Sequence, residues 1–144
     1  MIYINPEFAI KYHSKSLEEN DILVTRTGYP GVACVVPAQY QGCQTFTTLI
    51  VRLKSSPDIN PHFICYYINS PNGKAYVDKM KVGVAQQNFG AKVLEKMPIL
   101  LPEIDLQNGF LAFAKQIDKS KFELVQALAE LTATYKRIIA ENLG

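Results

Sequence analysis

The C-terminal part of the chain carries the strongest constraint on the fold, a long segment without proline in which apolar residues recur every seven positions. The segment runs from residue 105 to residue 143. The repeating apolar residues are Phe110, Ile117, Leu124, Leu131 and Ile138. This spacing is typical of a helix that packs lengthwise against another helix. The sequence therefore predicts one long helix from about 105 to 142, which leaves residues 1 to 101 to form a compact part.

The second row of the repeat is partly polar, as in helix pairs whose register depends on a few polar positions. Its members are Ala114, Lys121, Leu128, Tyr135 and Asn142. A single helix leaves its apolar stripe in water, so this helix needs a partner. Because the rest of the chain is small, we expect the partner to be another chain. The predicted oligomerisation residues are Ile117, Leu124, Leu128, Leu131, Tyr135 and Ile138.

Composition places the chain among ordinary globular proteins. Of its 144 residues, 48% are apolar and 19% are charged, which supplies enough apolar material for one core and excludes disorder for most of the chain. No apolar run approaches the roughly 20 residues that span a bilayer, and no signal-like stretch follows Met1. These features predict a soluble cytoplasmic protein without a membrane partner.

Charge and cysteine usage exclude several kinds of site. The net charge is +2, and the basic excess lies in residues 1 to 101, with ten basic and seven acidic residues. The chain has no Cys-x-x-Cys pair, so we predict small buried thiols rather than a zinc site or a disulfide scaffold. The three cysteines are Cys34, Cys43 and Cys65.

Catalytic chemistry has little support in the sequence. The two histidines, His13 and His62, stand in unrelated contexts, so no base and orienting carboxylate converge. The acidic residues Glu18, Glu19 and Asp21 are expected in a solvated loop rather than in a metal site. We therefore predict no enzymatic activity, no cofactor and no metal.

Local patterns predict a mixed α/β (α+β) fold for the compact part. Runs rich in β-branched residues at 21–25, 32–36 and 45–53 predict an antiparallel set of three strands joined by short turns. Residues 60–69 begin with Asn-Pro, a typical helix start. Two shorter helices are predicted at 74–81 and 91–96, and a buried strand at 97–101 between two prolines.

Some polar side chains of the compact part are of the types that contact DNA. Base reading uses amide and guanidinium groups, with lysines nearby for phosphates. From residue types alone, the more ordinary interpretation is that the amides cap the helix near Ala91 and that the arginine pairs with a local acid. Tyr29 and Tyr40 either stack on a base or cover a sheet edge. The amide and guanidinium candidates are Arg26, Gln86, Gln87 and Asn88, and the lysine candidates are Lys74, Lys79, Lys81 and Lys92.

Residues 20–28 resemble a strand and turn in the target recognition domains of type I restriction-modification specificity subunits. They read Asn-Asp-Ile-Leu-Val-Thr-Arg-Thr-Gly, where the family pattern is often written Gly-Asp-Ile-Leu-x-x-Arg-x-Gly. The resemblance runs from about residue 17 to 144. Further family-like segments follow in order at 60–70, 86–89, 97–102 with Gln107, and 116–123, which looks like the start of the family's helical spacer.

In that family, a specificity subunit carries two target recognition domains joined by two long antiparallel helices, and it holds the methyltransferase subunits. The resemblance implies a partial, DNA-binding target recognition domain at 1–101 and a helical spacer or dimerisation helix at 102–144. It implies base contacts for the amide and guanidinium candidates and phosphate contacts for the lysines. The implied partners are double-stranded DNA, methyltransferase (modification) subunits, indirectly the restriction subunit, and a second copy or another specificity chain.

The chain departs from the family pattern in two ways. Asn20 stands where glycine is usual, a small change because Asn tolerates left-handed backbone. The chain also has one recognition domain and one helix, without the strands that normally precede the motif. We expect a DNA-recognition module without catalysis. The alternative is a truncated assembly or scaffold protein that docks through its C-terminal helix on methyltransferase or specificity subunits without reading DNA.

Overall fold

The computed structural model describes residues 5–54, 56–81 and 89–143. The chain divides into two compact units, Met1–Ile104 and Asp105–Gly144. The first unit contains a three-stranded antiparallel sheet with short helices, and the described residues of the second are helical. The predicted mixed α/β class with a long C-terminal helix is confirmed.

The sheet consists of β1 (Ile22–Thr25), β2 (Ala33–Val35) and β3 (Thr48–Val51) in the order β2-β1-β3, with antiparallel pairing throughout. The predicted antiparallel set is confirmed. The prediction that short turns join all three strands was wrong, because β3 pairs with β1 and not with β2. Residues 36–47 therefore have to reach the far side of the sheet.

The helices of the described residues are α1 (Pro6–Lys11), α2 (Pro61–Asn69), α3 (Pro71–Lys81), α4 (Ala91–Leu94) and α5 (Ile104–Leu143), with 3-10 turns at His13–Lys15 and Ala38–Tyr40. The predicted helices at 60–69, 74–81 and 91–96 are present, although α4 ends at Leu94. Helix α3 begins earlier than predicted, because Pro71 occupies a helix start, where proline is well tolerated. The first helix was not predicted.

The strand predicted at 97–101 is wrong. These residues form no regular element, and only Met97 is buried. Pro98 has no N–H to donate to a strand ladder, and its carbonyl instead accepts a hydrogen bond of 2.8 Å from the Tyr67 hydroxyl. The segment is thus fastened to α2 by a side chain rather than by strand pairing.

The core of the first unit lies between the sheet and the helices. Ile22 and Val24 of β1 are both completely buried, as alternate positions of one strand face are. Helix α2 contributes Ile64 and Ile68, which follow the four-residue spacing of one helix face. The other buried members of the core are Ala33, Val77, Phe89 and Met97.

The outer edge of β2 is closed by one amide side chain. Asn69 Oδ1 accepts a hydrogen bond from the Ala33 amide at 2.9 Å, and Asn69 Nδ2 donates to the Ala33 carbonyl at 2.8 Å. These two bonds replace the ones that a further strand would make. They satisfy edge groups that otherwise invite pairing with another chain and tie α2 to the sheet.

In the acidic loop before β1, Glu18 and Glu19 are exposed as predicted, whereas Asp21 belongs to a buried ion-pair site. Asp21 is buried, and its carboxylate accepts hydrogen bonds of 2.9 and 2.8 Å from Arg52 and one of 2.8 Å from the Glu18 amide. The Glu18 carboxylate also pairs with Arg52, at 2.7 Å. The prediction missed this site because Arg52 lies far along the sequence.

The prediction of three buried thiols was wrong. Cys34 is exposed, whereas Cys43 and Cys65 are half-buried, and all three are free. Cys34 follows the inward-facing Ala33 and so points to the opposite face of β2. Burial and the nearby Cys34 raise the pKa of the Cys65 thiol, which leaves it a weak nucleophile.

Helix α5 extends over the predicted length. Along it, the ion pairs Lys119–Glu123 and Arg137–Glu141 join residues four apart, with nitrogen–oxygen distances of 3.8 and 3.9 Å. Such pairs give modest support to an exposed helix. The six predicted oligomerisation residues are between 49% and 71% exposed: Ile117, Leu124, Leu128, Leu131, Tyr135 and Ile138.

Candidate nucleic-acid interface

The β1–β2 loop (residues 26–32) is held in one conformation by Thr25. The Thr25 hydroxyl donates to the Tyr29 carbonyl at 2.5 Å and accepts from the Val32 amide at 2.9 Å. The Thr25 amide donates to the Val32 carbonyl at 2.9 Å, and the Gly31 amide donates to the Thr25 carbonyl at 3.0 Å. Gly28 and Gly31 have φ angles of +74° and +88°, which glycine adopts without steric cost. Backbone and side chain together therefore brace the loop.

The braced loop presents Tyr29 and Arg26 to solvent. Tyr29 is 88% exposed, and Arg26 is also exposed. Arg26 forms no ion pair within the described ranges, so pairing with a local acid is not its role there. That role belongs to Arg52. Residues 22–57 contain no Asp or Glu, so this stretch offers no carboxylate to repel a phosphate.

Helix α3 packs against the end of this loop. A Cβ atom on Gly31 would lie 2.7 Å from Val77 Cγ2, so only glycine fits between the loop and the helix. Lys74 precedes Val77 by one helical turn and is exposed. It therefore lies on the same stripe of α3 as Val77. The structure thus attaches the helix that carries Lys74 to the loop that carries Arg26, through Val77 and Gly31.

Lys79 and Lys92 occur where α3 meets α4. The Tyr76 hydroxyl donates a hydrogen bond of 3.0 Å to the Val93 carbonyl, which fixes α4 beside α3. Lys92 adjoins Val93 in the chain, and Lys79 follows Tyr76 by one turn. Both lysines are exposed. They are therefore available as point charges for an anionic partner.

Four of the predicted contact residues cannot be placed in this surface. Gln86, Gln87 and Asn88 lie outside the described residues, as does the side chain of Lys81, the last residue of α3. Tyr40 ends a 3-10 turn and is 44% exposed, half as much as Tyr29. The predicted surface is thus represented by Arg26, Lys74, Lys79 and Lys92.

The sequence predictions missed Thr25 and the contact of Gly31 with Val77. In the sequence, Thr25 looks like an ordinary β-branched strand residue. Its role in bracing the loop depends on hydrogen bonds to Tyr29 and Val32, which the sequence does not reveal. The second glycine of the Gly-Tyr-Pro-Gly turn could have indicated the contact with Val77, because glycine is common where the backbone approaches another element closely.

The described part of the chain lacks two kinds of feature. Among those residues, no three His, Cys, Asp or Glu side chains are grouped so that they could hold a metal ion. Within the same ranges, no helix has both the length and the apolar character that crossing a bilayer requires.

One protein-family model matches most of the first unit and the greater part of the second. The family model described as type I restriction modification DNA specificity domain matches residues 3–132. The match includes the β1–β2 loop, α3, α4 and the greater part of α5. A search of curated proteins gives no significant match. Since the family match spans most of the 144 residues, the chain belongs to the type I restriction modification DNA specificity domain family.

Proposed function

We propose that the chain is a DNA-recognition module of a type I restriction-modification system, acting in the cytoplasm and without catalysis of its own. The observation that carries the proposal is the family match over residues 3–132. Methyl transfer and cleavage belong to partner chains in the family that the sequence resembles. The module's part is to select the DNA site and to hold the methyltransferase subunits on it.

The charges of the first unit support a DNA-facing surface. Arg26 is exposed and forms no ion pair within the described ranges. Its guanidinium group can therefore make a bidentate pair of hydrogen bonds to guanine, or contact a phosphate, without breaking an existing ion pair. The lysines Lys74, Lys79 and Lys92 supply phosphate contacts. Gln86, Gln87 and Asn88, with Lys81, remain predicted contacts on the basis of the sequence.

The exposed stripe of α5 supports the second half of the proposal. Its large apolar side chains, such as Leu124 at 71% and Leu131 at 67% exposure, suit packing against another helix. We propose that this helix pairs with a second copy or with another specificity chain. Such pairing would bring two recognition units to one bipartite site, because a single unit reads only half of it.

The same stripe also favours a second candidate function. A scaffold protein that docks through α5 on methyltransferase or specificity subunits would use Leu124 and Leu131 in the same way. It would differ only in having no need of the exposed basic side chains of the first unit. DNA binding by that unit therefore separates the two functions.

Methylation by a reconstituted complex tests the proposed function. The full chain is combined with methyltransferase subunits, and the modified positions in unmethylated genomic DNA are sequenced. We expect Arg26→Ala to reduce or redirect methylation, because a bidentate base contact discriminates by about 1–3 kcal/mol. Arg26→Lys is the matched control, since it keeps the charge but loses the bidentate geometry.

The controls define the outcome that counts against DNA reading. If Arg26 contacts a base, Arg26→Lys retains affinity for random duplex DNA and loses the preferred sequence. If Arg26→Ala and Gln86→Ala leave both the rate and the sequence of methylation unchanged, the scaffold function is the better explanation.

A further inference from the structure

We infer that the tip of the β1–β2 hairpin enters the major groove of duplex DNA, where Tyr29 contacts base edges and Thr25 acts as the residue that positions it. This inference rests on the proposed function and adds a specificity-determining residue to it. The family match assigns no such role to Tyr29 or Thr25, and the sequence left base stacking by Tyr29 as one of two alternatives.

The Tyr29 side chain makes no contribution to the fold that would explain its presence. It is 88% exposed, more than any other large apolar side chain of the described ranges. Its neighbours Pro30 and Gly31 are buried, and the loop is braced through backbone groups and Thr25. The fold thus fixes the Tyr29 backbone and leaves its ring in solvent. Tyrosine in such a place offers a ring and a hydroxyl at a small cost in side-chain entropy.

The shape and charge of the hairpin match the major groove. The β1–β2 loop extends past the last pair of β1 with β3, Thr25 with Thr48, and a two-stranded turn fits a groove about 12 Å wide but not a minor groove about 6 Å wide. Arg26 begins the loop, and Lys74 lies on the adjoining stripe of α3. Residues 22–57 hold no carboxylate. The positive charge of Arg26 therefore belongs to the same loop as Tyr29, and it can contact a phosphate while the Tyr29 hydroxyl donates to or accepts from a base.

Thr25 is suited to positioning because its hydroxyl uses both of its hydrogen-bonding functions. It donates to the Tyr29 carbonyl and accepts from the Val32 amide, at 2.5 and 2.9 Å. Serine retains both functions, whereas valine has a similar shape and neither. A loop that is ordered before binding loses less entropy in the complex. Loss of the hydroxyl should therefore weaken selection of the site more than general affinity for DNA.

The first test uses the full chain reconstituted with methyltransferase subunits and unmethylated genomic DNA. We expect Tyr29→Ala to slow methylation at the preferred sites about tenfold, within the range for losing one hydrogen bond to a base. Affinity for random duplex DNA should change less than about twofold, since phosphate contacts dominate it. Thr25→Val should act in the same direction as Tyr29→Ala, and Thr25→Ser should restore the unmodified pattern. Tyr40→Ala serves as the matched tyrosine control and should change neither measurement.

A second test reads the contact directly. Random duplexes containing 5-bromodeoxyuridine are bound to the unmodified full chain and irradiated, and the crosslinked residue is identified by mass spectrometry. We expect a crosslink at Tyr29 and none at Tyr40. Circular dichroism of each variant establishes that it folds, and the crosslink needs no variant.

The outcomes separate this inference from the proposed function. If the unmodified chain directs methylation, while Tyr29→Ala keeps the same sites and rate and Tyr29 forms no crosslink, the inference is wrong and the proposed function stands. If the unmodified chain neither binds duplex DNA nor directs methylation, both are wrong. A Thr25→Ser variant that behaves like Thr25→Val would remove the positioning role alone.

Discussion

Asp21 fastens the loop before β1 to the strand region that carries Arg52. Burial by itself raises the pKa of Asp21, but hydrogen bonds from Arg52 and the Glu18 amide, together with the Arg52 charge, outweigh it. The pKa of Asp21 therefore lies below its usual range. Replacing one partner of such a pair leaves the other without compensation, which makes the pair sensitive to protonation as well as to mutation.

The lowered pKa predicts a loss of stability in acid. Unfolded Asp21 has the ordinary value of 3.8, and the folded value is lower. Between these values the unfolded state binds more protons, so this stabilisation is complete above 3.8 and is lost as the pH falls through the folded pKa. Urea unfolding midpoints of the unmodified chain should therefore decline more steeply in this window than those of Asp21→Asn. Parallel declines for the two proteins would show that Asp21 does not carry the effect.

At this scale, residue types were predicted better than residue partners. The sequence singles out Arg26 as a DNA-contact candidate, and the structure finds it exposed. It gives no sign that Arg52, rather than Arg26, pairs with Asp21, because the two partners are 31 positions apart. Local sequence carries side-chain chemistry, whereas long-range partners follow from how the strands are ordered.

Elements with strong local signals were predicted well. Helix α2 starts with Asn60 accepting a hydrogen bond of 2.9 Å from the His62 amide, as its Asn-Pro start indicates. Helix α1 has the same start at Asn5, but it spans only six residues and lacks an apolar period long enough to recognise. The segment 97–101 shows the opposite error, since apolar residues between prolines resemble a buried strand without being able to complete its hydrogen bonds.

The corner between α2 and α3 gives a prediction at the scale of elements. A Cβ on Gly73 would lie 2.3 Å from the Ile68 carbonyl oxygen, whereas a Cβ on Gly109 of α5 would meet nothing within 4 Å. We expect Gly73→Ala to destabilise the first unit, because a backbone group has to move. Gly109→Ala should instead stabilise α5 by about 0.5–1 kcal/mol. Thermal unfolding followed by circular dichroism measures both, and effects of the same sign would contradict the packing at the corner.

At the scale of the whole molecule, the family match covers parts of two units that differ in structure and charge. The first has a buried core and an excess of basic residues, and the second is a helix whose apolar repeat is exposed. The heptad spacing and the absence of proline were sufficient to predict the helix. The sheet order β2-β1-β3 was not predictable, because a strand run carries no information about which neighbour it pairs with.

The exposed repeat predicts assembly through α5. Burying one large apolar side chain contributes about 1.5–3 kcal/mol, so Leu131→Asp should separate a homodimer or release a partner specificity chain. Ala133→Asp places the same charge two positions further along, outside the repeat, and should leave assembly intact. Sedimentation velocity at high protein concentration distinguishes the two variants. An unmodified chain that stays monomeric, alone and when mixed with a specificity chain, would rule out this role of the helix.

The affinity of the full chain for random duplex DNA across a salt series is the sharpest test of whether the first unit binds DNA. We expect a linear fall of log affinity with log salt concentration. The triple variant Lys74→Ala, Lys79→Ala, Lys92→Ala should lower that slope by about three, while Lys119→Ala on α5 should leave it unchanged. Absence of binding at low salt, or the same slope for the triple variant and the unmodified chain, would contradict the claim and favour the scaffold function.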